Sequence, residues 1–108
     1  NGYVMPQALI EVFKEYGHNV EMLRGDLEQL KTRLNQGNPI IALIGHFVSW
    51  QHYVTVVGYD EDNIFLYDSN MDIDNSNGYN RTMSNAEFVS QWENEIPLFE
   101  QIYFVVLQ

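Results

Sequence analysis

Residues 50–70, WQHYVTVVGYDEDNIFLYDSN, constrain the fold of this chain more than any other segment. Two runs rich in β-branched and aromatic residues, 52–59 and 64–68, flank a polar turn, and this pattern predicts two antiparallel strands. His52 opens the first strand and Asp68 closes the second. An imidazole and a carboxylate are the base and the orienting group that an activated nucleophile requires. The hairpin is therefore the first candidate for a functional site.

Whether His52 and Asp68 meet depends on the length of the turn. Side chains alternate between faces along a strand, and directly paired residues share a face. A turn with an odd number of residues, for instance 60–62, pairs Val54 with Asp68. His52 then lies one diagonal step from Asp68, whereas an even turn puts the two on opposite faces. A structural interpretation of each residue stays open, since an aspartate at a strand end often only begins a turn.

The composition indicates one globular domain, 1–108, with a modest core. The chain has 108 residues, of which 45% are hydrophobic and 14% aromatic. Its 15 acidic and 5 basic side chains give a net charge of −10, which argues against nucleic acid as a partner. The apolar runs are too short to span a bilayer, so no transmembrane segment is expected. The sequence begins Asn1-Gly2 rather than with Met, and we expect further sequence upstream.

The order of the predicted elements indicates an α+β fold, in which helices pack on an antiparallel sheet. Hydrophobic spacing, capping signals and turn residues define these elements. They are a helix over 6–16, an extended segment over 18–23, a helix opened by Asp26 and Gln29 and closed by Gly37, strands over 39–45, 52–59 and 64–68, a polar loop over 69–82, a helix opened by Ser84 and Glu87, and a strand over 102–107.

The hairpin resembles the histidine and aspartate motifs of the C39-like cysteine peptidases, which are papain-like. His-Tyr-Val-Thr-Val-Val-Gly-Tyr-Asp and, after the turn, Leu-Tyr-Asp-Ser carry the resemblance. Residues 31–44 are similar to the family's leucine-rich helix and Gly-x-Pro-hydrophobic strand, and 3–17 to its second N-terminal helix. Phe88 and Trp92 match its late Phe-x-x-x-Trp helix. The resemblance implies a papain-like cysteine peptidase fold that lacks its N-terminal part, with 1–108 as the C-terminal portion of the peptidase domain.

The resemblance implies catalytic roles for two residues, His52 as general base and Asp68 as its orienting group. The family's nucleophilic cysteine sits at the start of an earlier helix, with an oxyanion-hole glutamine just upstream, and this chain has no cysteine. Gln7 and Gln51 lack the required spacing to a nucleophile, and Ser49 lacks a helix N-terminus. We therefore expect this chain alone to be inactive, and to hydrolyse peptide bonds once an upstream Cys/Gln segment is supplied. A non-catalytic peptide-binding module with a degenerate cleft is the alternative, and an interaction domain without a cleft is a third.

No cofactor and no metal are expected. His46 and His52 could share a metal ion only with a third ligand, and the sequence offers none nearby. In one polar segment, acidic and amide side chains recur at every second residue, as they do in a calcium-binding loop. The EF-hand signature is not matched, so a solvated loop over 69–82 is expected and calcium binding stays open. The alternating residues are Asp68, Asn70, Asp72 and Asp74.

The expected partners are a peptide or protein substrate and a second copy of the chain. The resemblance implies a bacterial protein that is exported or associated with the cell envelope. It also implies that the absent cysteine-bearing helix would leave the sheet face of His52, Val54 and Val56 uncovered. An uncovered apolar patch of this kind favours a homodimer.

Overall fold

Six strands form one antiparallel sheet, with three helices packed around it, in the part of the chain that the structure describes. This structure is a computed structural model, and it describes residues 6–47, 50–69, 78–94 and 96–107. The strands lie in the order β1-β6-β2-β3-β4-β5, and the predicted α+β class is confirmed. The elements in chain order are α1 (Pro6–Glu15), β1 (Asn19–Arg24), α2 (Leu27–Asn35), β2 (Ile40–Phe47), β3 (Trp50–Tyr59), β4 (Asn63–Tyr67), β5 (Arg81–Ser84), α3 (Asn85–Glu93), a 3₁₀ turn (Pro97–Phe99) and β6 (Ile102–Leu107).

The starts of α2 and α3 follow the capping residues in the sequence. Before α2, the Asp26 side chain accepts a hydrogen bond from the Gln29 backbone at 2.8 Å, and the Gln29 side chain accepts one from the Asp26 backbone at 2.9 Å. This reciprocal capping box satisfies two amide groups that the first turn would otherwise leave unpaired. Before α3, the Ser84 hydroxyl accepts from the Glu87 backbone at 3.1 Å. Both predicted helix starts are confirmed.

The larger core lies under α2 and α3, on one face of the sheet. Leu30 of α2 and both Phe88 and Trp92 of α3 are completely buried there. The Trp92 indole nitrogen Nε1 donates to the Ile102 carbonyl at 2.7 Å, which fixes α3 against β6. The sheet contributes a continuous apolar surface to this core: Ile40, Ala42, Ile44, Val54, Val56, Ile64, Leu66, Met83, Tyr103 and Val105.

The expectation of an uncovered patch around His52, Val54 and Val56 is wrong for both valines. Val54 and Val56 are 2% and 1% exposed, because α2 and α3 occupy that face. The homodimer was inferred from the exposure of these side chains. Because the valines are buried, this argument no longer supports the homodimer, which stays a prediction.

The opposite face carries a smaller cluster, and α1 covers it only in part. Leu9 and Ile10 of α1 pack against the cluster, whereas Val12 of the same helix and Tyr16 just after it are 46% and 77% exposed. Only one side of α1 therefore packs against the sheet. The buried members of this cluster are Leu43, Phe99, Ile102 and Phe104.

The segment predicted as a loop over 69–82 ends in a short strand instead. β5 begins at Arg81, which pairs with Leu66 of β4, and continues into the cap of α3. The strand adds an edge to the sheet next to the hairpin, which brings Arg81 close to the end of β4. On the other side, β6 lies between β1 and β2, as expected for a fully apolar strand.

Candidate active site

His52 and Asp68 meet at one end of the β3–β4 hairpin. The ring nitrogen Nε2 of His52 lies 2.6 Å from Oδ1 of Asp68. The Asp68 side chain is 3% exposed and the His52 side chain 19%, so solvent reaches the pair on the histidine side. An ionised carboxylate only accepts hydrogen bonds, so Nε2 is the nitrogen that donates the proton. The contact fixes the orientation of the imidazole ring.

The hairpin turn is even, contrary to the odd turn that the proximity of His52 and Asp68 was expected to need. Tyr59 pairs with Ile64, and four residues lie between them. Strict alternation from that pair would set Asp68 opposite Thr55, on the other face from His52.

A β-bulge at Val57 restores the alignment. The ladder shifts by one residue there, so that Val56 pairs with Leu66. From this pair onward, alternation puts His52 and Asp68 on the same face, one diagonal step apart. The extra residue on β3 compensates for the even turn, and this is the physical reason that the two side chains meet.

Asp60 stabilises the turn of the hairpin through its side chain. Its Oδ1 accepts from the backbone amides of Asp62 and Asn63 at 2.9 and 2.8 Å. The backbone hydrogen bonds from Asp62 and then Asn63 hold the pKa of the Asp60 carboxyl below its usual value of 3.8. The ionised carboxylate thus helps to fix β3 against β4.

Arg81 is a second partner of the Asp68 carboxylate, and sequence reasoning missed it. Its Nη1 donates to Oδ2 of Asp68 at 2.8 Å, and its side chain is 20% exposed. Asp68 therefore uses one oxygen for His52 and the other for Arg81. A buried carboxylate that accepts from a guanidinium on one oxygen and from a ring nitrogen on the other is favoured in its ionised form. The available signal was the alternation of Arg81 and Met83, which is too short to define a strand.

Asn80 holds the backbone of Asp68 and was also missed. The Asn80 Oδ1 accepts from the Asp68 amide at 2.7 Å, and the Asn80 Nδ2 donates to the Asp68 carbonyl at 2.9 Å. The Asn80 backbone in turn donates to the Leu66 carbonyl at 3.0 Å. These three bonds continue the pairing of β4 with β5 by one residue. They hold the Asp68 backbone in place and thereby fix the position of its carboxylate relative to β3.

Gln51, the neighbour of His52, is held by the residue that follows α3. Gln51 Nε2 donates to Asn94 Oδ1 at 3.1 Å, and Asn94 Nδ2 donates to Gln51 Oε1 at 2.6 Å. Asn94 Oδ1 also accepts from the Ile96 backbone at 3.2 Å. The side chain that sequence reasoning rejected as an oxyanion-hole donor is thus tied to the end of α3.

The other residues weighed from the sequence are not brought to this site. Gln7 lies exposed on α1. Ser49 and residues 70–77, with the suggested calcium pattern, lie outside the described residues, as does the side chain of His46. Among the side chains that the structure describes, no three of His, Asp and Glu converge as a metal site requires. The helices in this part of the chain are too short or too polar to cross a membrane.

The chain belongs to the Peptidase_C39 like family, whose model matches residues 1–96. The resemblance seen in the hairpin motif is thereby confirmed at the level of the family. A search of curated proteins finds no match to this sequence.

The fold is similar to a crystal structure described as that of a "putative C39-like peptidase from Bacillus anthracis". The two share 16% sequence identity, with a TM-score of 0.73. The similarity covers 100% of this chain and 62% of the other, so this chain spans less than two thirds of that structure. At 16% identity the similarity shows that the two proteins share a fold.

Proposed function

We propose that this chain is the histidine- and aspartate-bearing portion of a C39-like cysteine peptidase domain. The single observation that supports this most is the 2.6 Å contact between His52 Nε2 and Asp68 Oδ1, at the end of the family's hairpin motif. In this proposal His52 is the general base and Asp68 fixes its tautomer, as the third member of a triad does.

The orientation of the His52 ring supports a role for one particular ring nitrogen in this proposal. Because Nε2 of His52 faces Asp68, the proton exchange with a nucleophile runs through Nδ1. His52 takes the thiol proton, the thiolate attacks the peptide carbonyl, and the imidazolium then gives that proton to the leaving amine. Water hydrolyses the acyl-enzyme with the same imidazole as base. Asp68 stays ionised throughout and stabilises the imidazolium.

The nucleophile is proposed to come from a segment upstream of Asn1. The chain contains no cysteine, so on its own it should not cleave peptides by this mechanism. The family resemblance assigns the cysteine to an earlier helix, and the similar crystal structure extends beyond this chain. The upstream segment would supply both the thiol and the oxyanion-hole glutamine.

The test is the sequence of the gene upstream of Asn1, followed by assay of the full-length protein on a peptide library. We expect a glutamine and a Cys-Gly pair at the start of a helix, and peptide cleavage that falls about 10²–10⁴-fold in His52→Ala. His18→Ala is the matched control and should keep full activity. An upstream sequence without a cysteine, or a fully active His52→Ala, would contradict the proposal.

A non-catalytic peptide-binding module is the second candidate, and the missing cysteine is the observation that favours it. In that case the chain alone binds extended peptides, and His52 contributes contact rather than proton transfer. Calorimetric titration of leader-like and cell-surface peptides separates the two. Binding by this chain, together with a full-length protein that cleaves nothing, selects the binding module.

A further inference from the structure

We propose that β1 is the contact surface of a symmetric homodimer, in which the β1 strands of two copies pair antiparallel across a two-fold axis at Met22. The partner at this edge of the sheet is thus a second copy of this chain. β6 and β2 separate β1 from β3, the strand that carries His52. The inference is therefore independent of the proposed function.

β1 is a sheet edge that lacks the features which normally prevent pairing with another chain. Within the described residues only β6 pairs with it, and its six residues follow β6 without a register shift. Edges are commonly protected by prolines, lysines, bulges or very short strands. Asn19–Arg24 has none of these, whereas the other edge strand, β5, has four residues and begins with Arg81, whose side chain turns to Asp68.

Exposed apolar side chains concentrate around the same edge. In the described part of the chain five large apolar side chains are exposed, and four of them belong to β1 or to the segments that adjoin it. Met22 lies on β1 and is 47% exposed. Val12 and Tyr16 come from α1 and the turn after it, and Leu107 pairs with Asn19 at the end of β6. A concentration of this kind favours a protein–protein contact at this edge.

The ladder between β1 and β6 directs the backbone polar groups of Val20 and Met22 to the open side of β1. The Gly25 amide donates to the Gln101 carbonyl at 3.2 Å, which continues that ladder by one pair. In an antiparallel ladder every second pair is hydrogen-bonded, so Glu21 also bonds to β6. The backbone groups of Val20 and Met22 alternate with these and point away from β6, where a second strand can pair with them.

Charge selects the register of the two strands. Directly paired residues share a face, so the two-fold axis passes through a residue of β1. An axis at Glu21 would set two carboxylates opposite each other, which is unfavourable. An axis at Met22 sets Met22 opposite its counterpart and Glu21 opposite Leu23 of the second copy. An axis nearer either end of the strand pairs fewer residues.

A hollow beside Leu23 receives the Glu21 carboxylate of the second copy. The hollow has a volume of about 270 Å³ and is lined by Leu23, Arg24, Gln29, Thr32, Arg33 and Tyr103. The Arg33 guanidinium lies 4.0 Å from Glu21 of its own chain, and the two side chains are 36% and 48% exposed, so a second carboxylate can reach it. Two of the five basic residues of a chain with a net charge of −10 thus face the incoming carboxylate.

The experiment is sedimentation equilibrium of the chain at a series of concentrations. We expect the parent chain to dimerise between about 1 and 100 μM, because a single pair of strands forms a small interface. Met22→Pro removes the outward amide without removing a bond to β6, and proline is tolerated on an edge strand in this orientation. It should raise the dissociation constant of the dimer at least about tenfold.

Two further variants exchange the charges of the contact. Glu21→Arg and Arg33→Glu each set like charges against one another twice across the axis, so each should be monomeric alone. In an equimolar mixture of the two variants both contacts again join opposite charges, and a dimer should form. Glu61→Arg is the matched control, because it changes the charge equally in the exposed turn between β3 and β4. Its dimer should match that of the parent.

A parent chain that stays monomeric at about 100 μM overturns the inference. A dimer that both Met22→Pro and Glu21→Arg leave intact also overturns it, because the contact then lies elsewhere. Circular dichroism establishes that each variant is folded. Folded Glu21→Arg and Arg33→Glu that fail to dimerise when mixed overturn the axis at Met22, whereas a dimer that forms only in the mixture supports it.

Discussion

Gln51 and Asn94 exchange two side-chain hydrogen bonds, of 3.1 and 2.6 Å, between the start of β3 and the residue after α3. Asn94 has a backbone φ of 60° and ψ of 161°, a region that glycine adopts without strain and that other residues rarely occupy. The pair connects the helix that covers the core to the strand position next to His52. Its loss should therefore loosen the end of β3 that carries the imidazole.

Asn94→Ala should lower the free energy of unfolding by about 1–2 kcal/mol, because it removes the side-chain bonds to Gln51 and to the Ile96 backbone while a Cβ stays in the same strained backbone region. Asn94→Gly loses the same bonds but should cost about 1 kcal/mol less than Asn94→Ala, because glycine adopts this backbone region without strain. Urea unfolding of the two variants separates the hydrogen bonds from the backbone strain. An Asn94→Ala variant as stable as the parent chain would mean that these side-chain bonds contribute nothing.

Deletion of Val57 should leave the His52–Asp68 pair intact, because it also shortens β3 by one residue, so that a regular ladder from the Tyr59–Ile64 pair aligns the two side chains without a bulge. Val57 is the extra residue of the bulge and is 42% exposed, and without it Val56 still pairs with Leu66 and Gly58 still pairs with Phe65. We expect a folded chain whose His52 ring signals match those of the parent. Val57→Ala controls for the loss of the side chain alone. Loss of the His52–Asp68 coupling in the deletion variant would show that the bulge itself, rather than the register it produces, aligns the site.

Asp60 should make the hairpin turn sensitive to acid. The pKa of its carboxyl is lowered in the folded chain, first by the Asp62 backbone amide and then by that of Asn63. Because the folded pKa lies below the unfolded one, the stabilisation is present above the unfolded value and is lost as the pH falls through the folded value. Asp60→Ala should therefore be less stable than the parent at neutral pH, with a difference that shrinks below about pH 4.

Asp60→Asn is the matched control for this prediction, since it keeps an acceptor oxygen but does not titrate. Its stability relative to Asp60→Ala should stay constant over the same pH range. Thermal unfolding at a series of pH values measures both variants. A difference between the parent and Asp60→Ala that does not change with pH would contradict the assigned role of the charge.

Trp92→Phe should destabilise the fold by about 2–4 kcal/mol. The indole is completely buried, stacks on Phe88 at 5.4 Å and donates to the Ile102 carbonyl at 2.7 Å. Phenylalanine leaves a cavity and an unpaired carbonyl, and both are costly. Val12→Ala, on the exposed side of α1, should change stability by less than about 0.5 kcal/mol. Equal effects of the two substitutions in denaturant unfolding would contradict the position assigned to the core.

The sequence predicted most of the fold because its signals are local. The capping residues of α2 and α3, the apolar run of β6 and the two strands of the hairpin depend on neighbours within a few residues. The hairpin also pointed to His52 and Asp68, since both lie at strand ends in one motif. These elements could be predicted because propensity, pattern and burial agree there.

The rest of the site depends on contacts between distant segments. Arg81 and Asn80 reach Asp68 from a four-residue strand that follows a polar stretch, where a period of two is too short to recognise. The bulge at Val57 has only one local signal, Gly58 within a strand. Asn94 meets Gln51 across 43 residues of sequence, and neither side chain suggests the other.

The coupling of His52 to Asp68 is tested by the ¹H–¹⁵N spectrum of the His52 ring in the parent chain and in Asp68→Ala. We expect the ring in the parent chain to carry its Nε2 hydrogen in a bond to Asp68, and the ring in Asp68→Ala to have lost this fixed tautomer and orientation. His18→Ala assigns the remaining signals without a change at His52. Identical His52 spectra in the parent and in Asp68→Ala would contradict the coupling of the two residues, and with it the proposed base and its orienting group.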